Sequence, residues 1–551
     1  MKKEDENIKR LYSFLNGVTG KKTVREQQTI LSVLRKTMDE VHELLVEGPD
    51  GELGPVPDDM NMIYMIMSQV AYEFNVQNPF PDKEKFYNIY KTLEDFDQVT
   101  WADILEYGSD KEEFKVPESV AKLMEKNCIS GFEEVLIPEA EKFSYVLESL
   151  TTTYDESHFT LMTTDLLYYK LLTEMYTFNE MVDVELGDIY KTNFTDENYH
   201  VILAAPSFGR GRANESSDFI GKDYDMIAIQ NLAAHLTKKE EGTLSIVMPA
   251  KITFGGRQTK QLRDYLISKY NVKEIASLPA GVFNTTRVKT CLINISTDKT
   301  DGVKVKRYVF DKNDQKNEET TNLVAEDETT LPNDKFVKMD DWNVDRIFEL
   351  QDDEWLSFQE SEVEKRKLGE VATVFRGKVV RKQDMDNKDG NIRVINISNI
   401  GNYDIDYSSL ESFKEEPRKV ANYILQDGDL LIPARGTAIR VAIFKEQSYP
   451  CIASSNVIVI RAKNKELNPV YLKVFFDSSL GRKILLLHQQ GTYIMNISYK
   501  ELNNVEIPFL PSEEQQTIAD EYTAGLEEYR KAMQAAEYKW STTLERLQSK
   551  F

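Results

Sequence analysis

Cysteine is nearly absent from this chain. Its 551 residues hold three, Cys128, Cys291 and Cys451, far apart and never in a CxxC pair, which excludes a disulfide framework or a thiolate zinc site as an organising feature. The five histidines are equally scattered, so no metal is expected. No stretch approaches the roughly 18–20 apolar residues of a bilayer-spanning helix, and no membrane association is expected. The amino terminus, Met1-Lys2-Lys3-Glu4-Asp5-Glu6, is charged and lacks an apolar run, so no secretory signal is read there. Together these absences point to a reducing cytoplasm. Positive charge is also short: 68 Lys and Arg against 92 Asp and Glu leave −24.

That deficit is uneven. From Lys365 to the end, 27 basic and 24 acidic residues leave +3, so the first 364 residues carry −27. The carboxy-terminal part can therefore present basic patches to an anionic polymer, while the acidic body repels one. An apolar fraction of 41% and a charged fraction of 29% are those of a globular protein, and the length implies several domains.

Residues 1–110 read as a helical domain, with apolar residues at three- and four-residue spacing over 26–45 and 60–74 and a Gly/Pro turn at 48–55. Over 111–300 short apolar runs (135–137, 159–162, 201–203, 243–247, 290–295) alternate with helical segments (166–176, 225–236, 260–269). That alternation predicts a mainly parallel, doubly wound α/β sheet with its ligands at the carboxyl ends of the strands. Residues 301–364 read as a polar extension, with a strand at 303–310, a charged loop at 312–328 and a helical connector at 342–366. A second, α+β domain of short β-branched runs spans 365–511. The final segment, 512–551, is a long helix with apolar positions at Ile518, Tyr522, Leu526, Tyr529 and Met533. No internal repeat, P-loop or D…ExK nuclease cluster is found.

Several segments carry chemistry. In order they are FKVPESVAKLM (114–124), Gly187-Asp188, YHVILAAPSFG (199–209), GTLS (242–245), VMP (247–249), FGG (254–256), LRDYL (262–266), LPAGVF (278–283) and VKT (288–290). The series resembles the modification subunits of type I restriction systems, S-adenosylmethionine-dependent adenine-N6 DNA methyltransferases with a helical amino-terminal domain. The resemblance implies a Rossmann-like domain, S-adenosylmethionine as cofactor, and a site built from two loops.

The first loop follows the first strand. The family pattern there is D-P-x-x-G-x-G, whose glycines let the backbone approach the cofactor. This chain has Pro138-Glu139-Ala140-Glu141-Lys142-Phe143. Pro138 is kept and no glycine is. Glu139 and Glu141 bring negative charge to the place that the resemblance assigns to the methionine carboxylate, and Phe143 adds bulk. Asp165, in the ribose-binding position, and Asp188 complete the implied cofactor set. The second loop, N-P-P-F/Y in the family, is Ala205-Pro206-Ser207-Phe208 here. Transfer to adenine N6 needs a side-chain oxygen and a backbone carbonyl on the amino group, and a ring on the flipped base. Phe208 can stack, but Ala205 cannot accept a hydrogen bond.

From 365 onward KLGEVA (367–372), FRGK (375–378), IRVINISNI (392–400), LQDGDLLI (425–432), RGT (435–437), HQQGT (488–492) and PSEEQQTI (511–518) resemble one half of a type I specificity subunit. The resemblance implies a DNA target-recognition domain followed by a spacer helix. Such a domain reads base edges in the groove and grips phosphates with basic groups. The phosphate and base candidates are Arg376, Lys378, Arg381, Lys382, Arg393, Arg435, Arg440, Arg482 and Lys483; Asn396, Asn399, Gln489, Gln490 and Thr492 are candidates for base edges.

Three readings follow. In the first, the chain is a DNA-binding, methyltransferase-like subunit of a bacterial restriction–modification or phage-defence system, giving target recognition from a lapsed catalytic site. In the second it is an active site-specific adenine-N6 DNA methyltransferase with unusual motifs. In the third it is an assembly protein without DNA affinity. The missing glycines and Ala205 favour the first. The expected partners are double-stranded DNA and, through the terminal helix, a second copy or an active methyltransferase or restriction subunit. Packing of that helix within its own chain is the alternative.

Overall fold

The computed structural model describes residues 13–17, 20, 22–44, 58–93, 99–106, 114–126, 128–210, 219–283, 285–286, 288–311, 322–339, 341–380, 390–401, 403–435, 440–487, 489–490, 496–497 and 499–548. These fall into two units, Met1–Val344 and Asp345–Phe551. Among the described residues no helix is long and apolar enough to cross a membrane, and no group of His, Cys, Asp and Glu is arranged to hold a metal.

The first unit opens with helices α1 (Val24–Glu43), α2 (Met60–Glu73), α3 (Lys83–Leu93) and α4 (Trp101–Glu106), followed by α5 (Glu118–Lys126). A reciprocal capping box between Thr23 and Glu26 fixes the start of α1 by satisfying first-turn N–H groups that the helix leaves unbonded. The periodic residues Ile30, Leu34, Met38 and Val41 point inward, as a 3.6-residue repeat requires.

Nine strands follow in the order β3-β2-β1-β4-β5-β7-β6-β8-β9. They are β1 (Glu134–Pro138), β2 (His158–Thr163), β3 (Val182–Leu186), β4 (Val201–Ala204), β5 (Thr243–Pro249), β6 (Asn271–Ser277), β7 (Thr290–Ser296), β8 (Gly302–Phe310) and β9 (Leu323–Pro332). Helices α6 (Leu166–Met175), α7 (Tyr224–Ala234) and α8 (Arg257–Lys269) lie between them in sequence. Val135, Leu136 and Ile137 of β1 are fully buried, as expected of a central strand covered on both faces.

The sheet is mainly parallel, as expected: β1 to β5 are mutually parallel and β8 runs parallel to β6. Its antiparallel members are β7, inserted between β5 and β6, and the edge strand β9. One expectation, the loop at 312–328, is corrected. Residues 323–328 are not loop but the start of β9, which pairs antiparallel with β8 at the sheet edge, while 312–321 lie outside the described residues. An edge strand exposed on both faces tolerates Glu326, Asp327 and Glu328, so charge hides it from pattern reading.

In the second unit the connector is two short helices, α9 (Val344–Glu349) and α10 (Asp353–Glu360). They break at Asp352, whose carboxylate caps α10 by accepting from the N–H groups of Glu354 and Trp355. Residues 365–366, expected as the end of the connector, instead open strand β10 (Lys365–Lys367). The rest is built on a four-stranded sheet, β11-β17-β14-β15, and a three-stranded one, β13-β12-β16. Their members are β11 (Ala372–Arg376), β12 (Ile392–Ile395), β13 (Glu411–Phe413), β14 (Leu430–Pro433), β15 (Ala442–Ile443), β16 (Cys451–Ala453) and β17 (Val457–Ala462). After α11 (Pro469–Asp477) come the pair β18 (Gln489–Gln490) and β19 (Asn496–Ile497) and then β20 (Glu506–Pro508), which pairs with β10. The terminal helix α12 runs from Ser512 to Gln548.

Candidate functional site

Strand order reverses between β1 and β4, and a doubly wound sheet opens its ligand crevice at the carboxyl ends of the strands flanking such a reversal. The loops after β1 and β4 are the two singled out in the sequence, so the fold brings Pro138–Phe143 and Ala205–Phe208 together.

The two loops are joined by their own side chains. Glu139 sits in the left-handed region at φ 51°, a conformation that costs a non-glycine residue on the order of 1 kcal/mol or more. From there its carboxylate is 2.8 Å from the Lys142 ammonium and accepts from the Tyr190 hydroxyl at 2.9 Å. Lys142, 9% exposed, also donates to the Ala205 carbonyl at 3.0 Å and to Ser207 Oγ at 3.2 Å. The Ser207 N–H donates to the Tyr190 oxygen at 2.7 Å. Burial, then the Glu139 charge, pushes the Tyr190 hydroxyl far up, so it remains a neutral donor. Ala205 and Pro206 are buried. The Phe208 ring meets Phe114 edge-on at 5.1 Å, and Phe114 stacks on Phe283 at 4.7 Å.

The remaining cofactor candidates are also engaged. Asp165 caps α6, accepting from Leu167 and Tyr168 N–H, and is ion-paired to Arg25. The Arg25 guanidinium lies 4.8 Å from the centre of the Tyr168 ring. Asp188 accepts from the Tyr190 N–H at 3.0 Å and lies 3.2 Å from the Lys191 ammonium. Pro138 ends β1 in register with Met162. Sequence reasoning gave no role to Lys142, Tyr190 or Arg25. The three-residue spacing of Glu139 and Lys142 was the one available signal, since Arg25 and Asp165 are 140 positions apart.

Burial, and secondarily the Glu139 charge, pushes the Glu141 carboxyl up from 4.5 to about 7, and its Oε2 is buried without a hydrogen-bond partner. A folded-state value above the unfolded one means that the cost of ionising Glu141 is absent below pH 4.5, grows toward about 7 and is complete above it. Glu141→Gln is therefore expected to stabilise the protein at pH 8.5 by up to about 3 kcal/mol and to lose that advantage at pH 4.5. Denaturant titration of both proteins at the two pH values checks this.

In the second unit the structure sorts the basic candidates. Arg376 Nε donates to the Ser455 carbonyl at 2.6 Å, and Lys378 donates to the Lys419 carbonyl at 3.3 Å. Arg393 lies over the Tyr449 ring at 5.8 Å. Arg440, exposed, donates to the Ile400 carbonyl at 3.3 Å, and Arg435 and Arg482 are exposed. Lys483 is held by Asp352 at 2.7 Å and Glu354 at 2.9 Å. Two amide candidates have local structural roles: Asn396 and Asn399 form a capping box, and Asn399 is buried. Arg381, Lys382 and Thr492 lie outside the described residues, as do the side chains of Gln489 and Gln490. The Asp429 of the LQDGDLLI segment is structural. It is 1% exposed and takes Arg461 in a two-point ion pair at 2.8 and 2.6 Å.

Comparison with known proteins agrees with this division. A family model described as N-6 DNA Methylase matches residues 175–368, and one described as Type I restriction modification DNA specificity domain matches 360–524. No curated protein matches the chain. Among solved structures, the type I restriction-modification methyltransferase subunit from Streptococcus thermophilus is 14% identical, with 63% of this chain and 93% of that chain covered and a TM-score of 0.45. The HsdS subunit from Thermoanaerobacter tengcongensis is 18% identical over 35% of this chain and 47% of that one, with a TM-score of 0.25. The type IIG restriction endonuclease BpuSI is 11% identical, with 94% and 74% covered and a TM-score of 0.47. The N-6 DNA methylase match implies S-adenosylmethionine as the group that such a crevice serves. Two family models in succession thus cover residues 175–524, which make up an N-6 DNA methylase region followed by a type I restriction modification DNA specificity domain.

Proposed function

We propose that the chain is the DNA-recognising, methyltransferase-like subunit of a bacterial restriction–modification or phage-defence complex, and that its own crevice does not transfer methyl groups. The observation that carries this is the network of Lys142, Glu139, Tyr190 and Ser207, which ties the two loops together across the crevice. The residues present do not fit S-adenosylmethionine. The loop after β1 offers two carboxylates and no glycine where a methionine carboxylate would need backbone N–H groups. The acid after β2 is spent on Arg25 and on capping α6. At the second loop Ala205 has no side-chain oxygen to offer, and its carbonyl and the Ser207 hydroxyl both accept from Lys142.

The specificity domain supplies DNA affinity, and its near-neutral charge leaves the exposed Arg435 and Arg440 able to meet phosphates. The terminal helix supplies the partner. Leu526, Met533, Trp540 and Leu547 recur every seven residues, and Met533, Trp540 and Leu547 are 43%, 62% and 42% exposed, the pattern of a seam awaiting a second helix. The partner is a second copy or a methyltransferase subunit with an intact site.

A single assay pair tests the proposal: duplex DNA binding across a salt series, and transfer of labelled methyl groups to the same DNA. Binding that falls at least about tenfold between roughly 50 and 200 mM salt, without methyl transfer by the isolated chain, is the expected result. Methyl transfer by the isolated chain overturns it.

A further inference from the structure

The two small sheets of the second unit meet at one turn. Ser454, Ser455 and Asn456 carry the chain from the end of β16, in the three-stranded sheet, to the start of β17, in the four-stranded one. Every neighbouring strand end is fastened to this turn by its backbone. The Ser454 N–H donates to the Ile395 carbonyl at the end of β12 at 3.0 Å, and the Ala434 N–H after β14 donates to the Asn456 carbonyl at 2.7 Å. At the end of β11 the Gly377 N–H donates to Val457 at 3.0 Å and the Lys378 N–H to Ala453 at 2.9 Å. A Cβ at Gly377 would lie 2.3 Å from the carbonyl oxygens of Ala453 and Ser454, so β11 rests flush on the turn. Arg376 Nε donates to the Ser455 carbonyl, which leaves its two terminal nitrogens without a partner among the described residues.

The turn is thus rigid, part-exposed and polar. Ser455 and Asn456 are half-buried, and the Asn456 carboxamide makes no hydrogen bond among the described residues. Ser454 Oγ is buried without a partner, a cost that a purely structural turn would have no reason to keep. Arg435, exposed, follows Ala434 directly. A neutral two-headed amide, on a frame fastened to three strand ends and close in the backbone to Arg376 and to the residue before Arg435, combines base reading with phosphate gripping. A carboxamide pairs in two places with the major-groove edge of adenine.

We propose that the Ser454–Asn456 turn is the base-reading element of the specificity domain. Asn456 reads an adenine edge, while Arg376 and Arg435 hold the flanking backbone. The inference rests on the DNA-recognition reading above and assigns it to particular atoms.

The test uses the full chain, selecting bound duplexes from a random-sequence pool and sequencing them, for wild type and for Asn456→Ala and Arg435→Ala. Wild type is expected to enrich a site containing a required A·T pair. Asn456→Ala should relax that one position and weaken binding to the selected site by about tenfold, with an unchanged melting temperature and unchanged non-specific binding. Arg435→Ala should weaken binding to all sequences alike and lower the salt slope by about one. If Asn456→Ala enriches the wild-type site with undiminished affinity, the assignment fails while DNA recognition stands. If wild type enriches no site, the recognition reading fails and this inference falls with it.

Discussion

Lys142→Ala is expected to destabilise the first unit by about 3–5 kcal/mol, because it leaves the Glu139 carboxylate largely buried without its cation. Glu139 is 12% exposed at its side chain, and Lys142 is 2.8 Å away. The Tyr190 hydroxyl and, at 3.4 Å, the Ser207 hydroxyl remain as donors, but two neutral hydrogen bonds do not offset a desolvated charge. The same change frees the carbonyl of Ala205 and Ser207 Oγ, both now served by the ammonium. A control separates charge from shape. Glu139→Gln combined with Lys142→Met keeps the volumes and removes both charges, and should recover most of the loss. Denaturant unfolding of wild type, single and double variants measures it. If Lys142→Ala costs under about 1 kcal/mol, the range of an exposed pair, the network does not bind the two loops together.

Asp429→Ala should be of similar size in the second unit, about 3–5 kcal/mol. The carboxylate is buried, receives two nitrogens of Arg461 and accepts from the Gln426 N–H at 2.8 Å. Arg461 in turn donates to the Ile424 carbonyl at 2.8 Å. Gly428, at φ +86°, makes the turn that presents Asp429 to β17. Losing the acid therefore strands a half-buried guanidinium and unpins β14 from β17. Ala434 directly follows β14 and Asn456 directly precedes β17, so Asp429→Ala should also lower DNA affinity for every sequence. Arg461→Ala should destabilise comparably, and the double variant should cost clearly less than the sum of the singles. Additive losses would show that the two residues act separately.

Much of this fold was legible in advance, for a physical reason. β1, β2, β4, β5 and β7 are almost wholly buried, so each reads as a mostly apolar run, broken only by single polar residues such as Thr160, Ser245 and Asn294. β3 and β9 were missed because they lie at the two edges of the sheet, where Asp183, Glu185 and Glu326 cost nothing in water and break the pattern. The insertion of β7 between β5 and β6 was not legible, because strand order is set by long-range pairing and leaves no local trace. At the candidate site the motif positions were readable but their bonds were not. Lys142 reaches Ala205 across 63 positions, and Arg25 reaches Asp165 across 140. Asn396 and Asn399 looked like base readers because an amide near a strand end serves a groove and a capping box equally well. Asn456, in an unremarked Ser-Ser-Asn turn, gave no signal until the strand ends around it were placed.

The proposed loss of methyl transfer rests on the side-chain network that ties the loop after β1 to the loop after β4. Its most direct test is isothermal calorimetry of S-adenosylmethionine with the purified full chain, alone and with duplex DNA present. The account predicts no heat of binding up to millimolar cofactor in either case. Micromolar binding would mean that the loop from Pro138 to Phe143 still cradles the cofactor, and would contradict it.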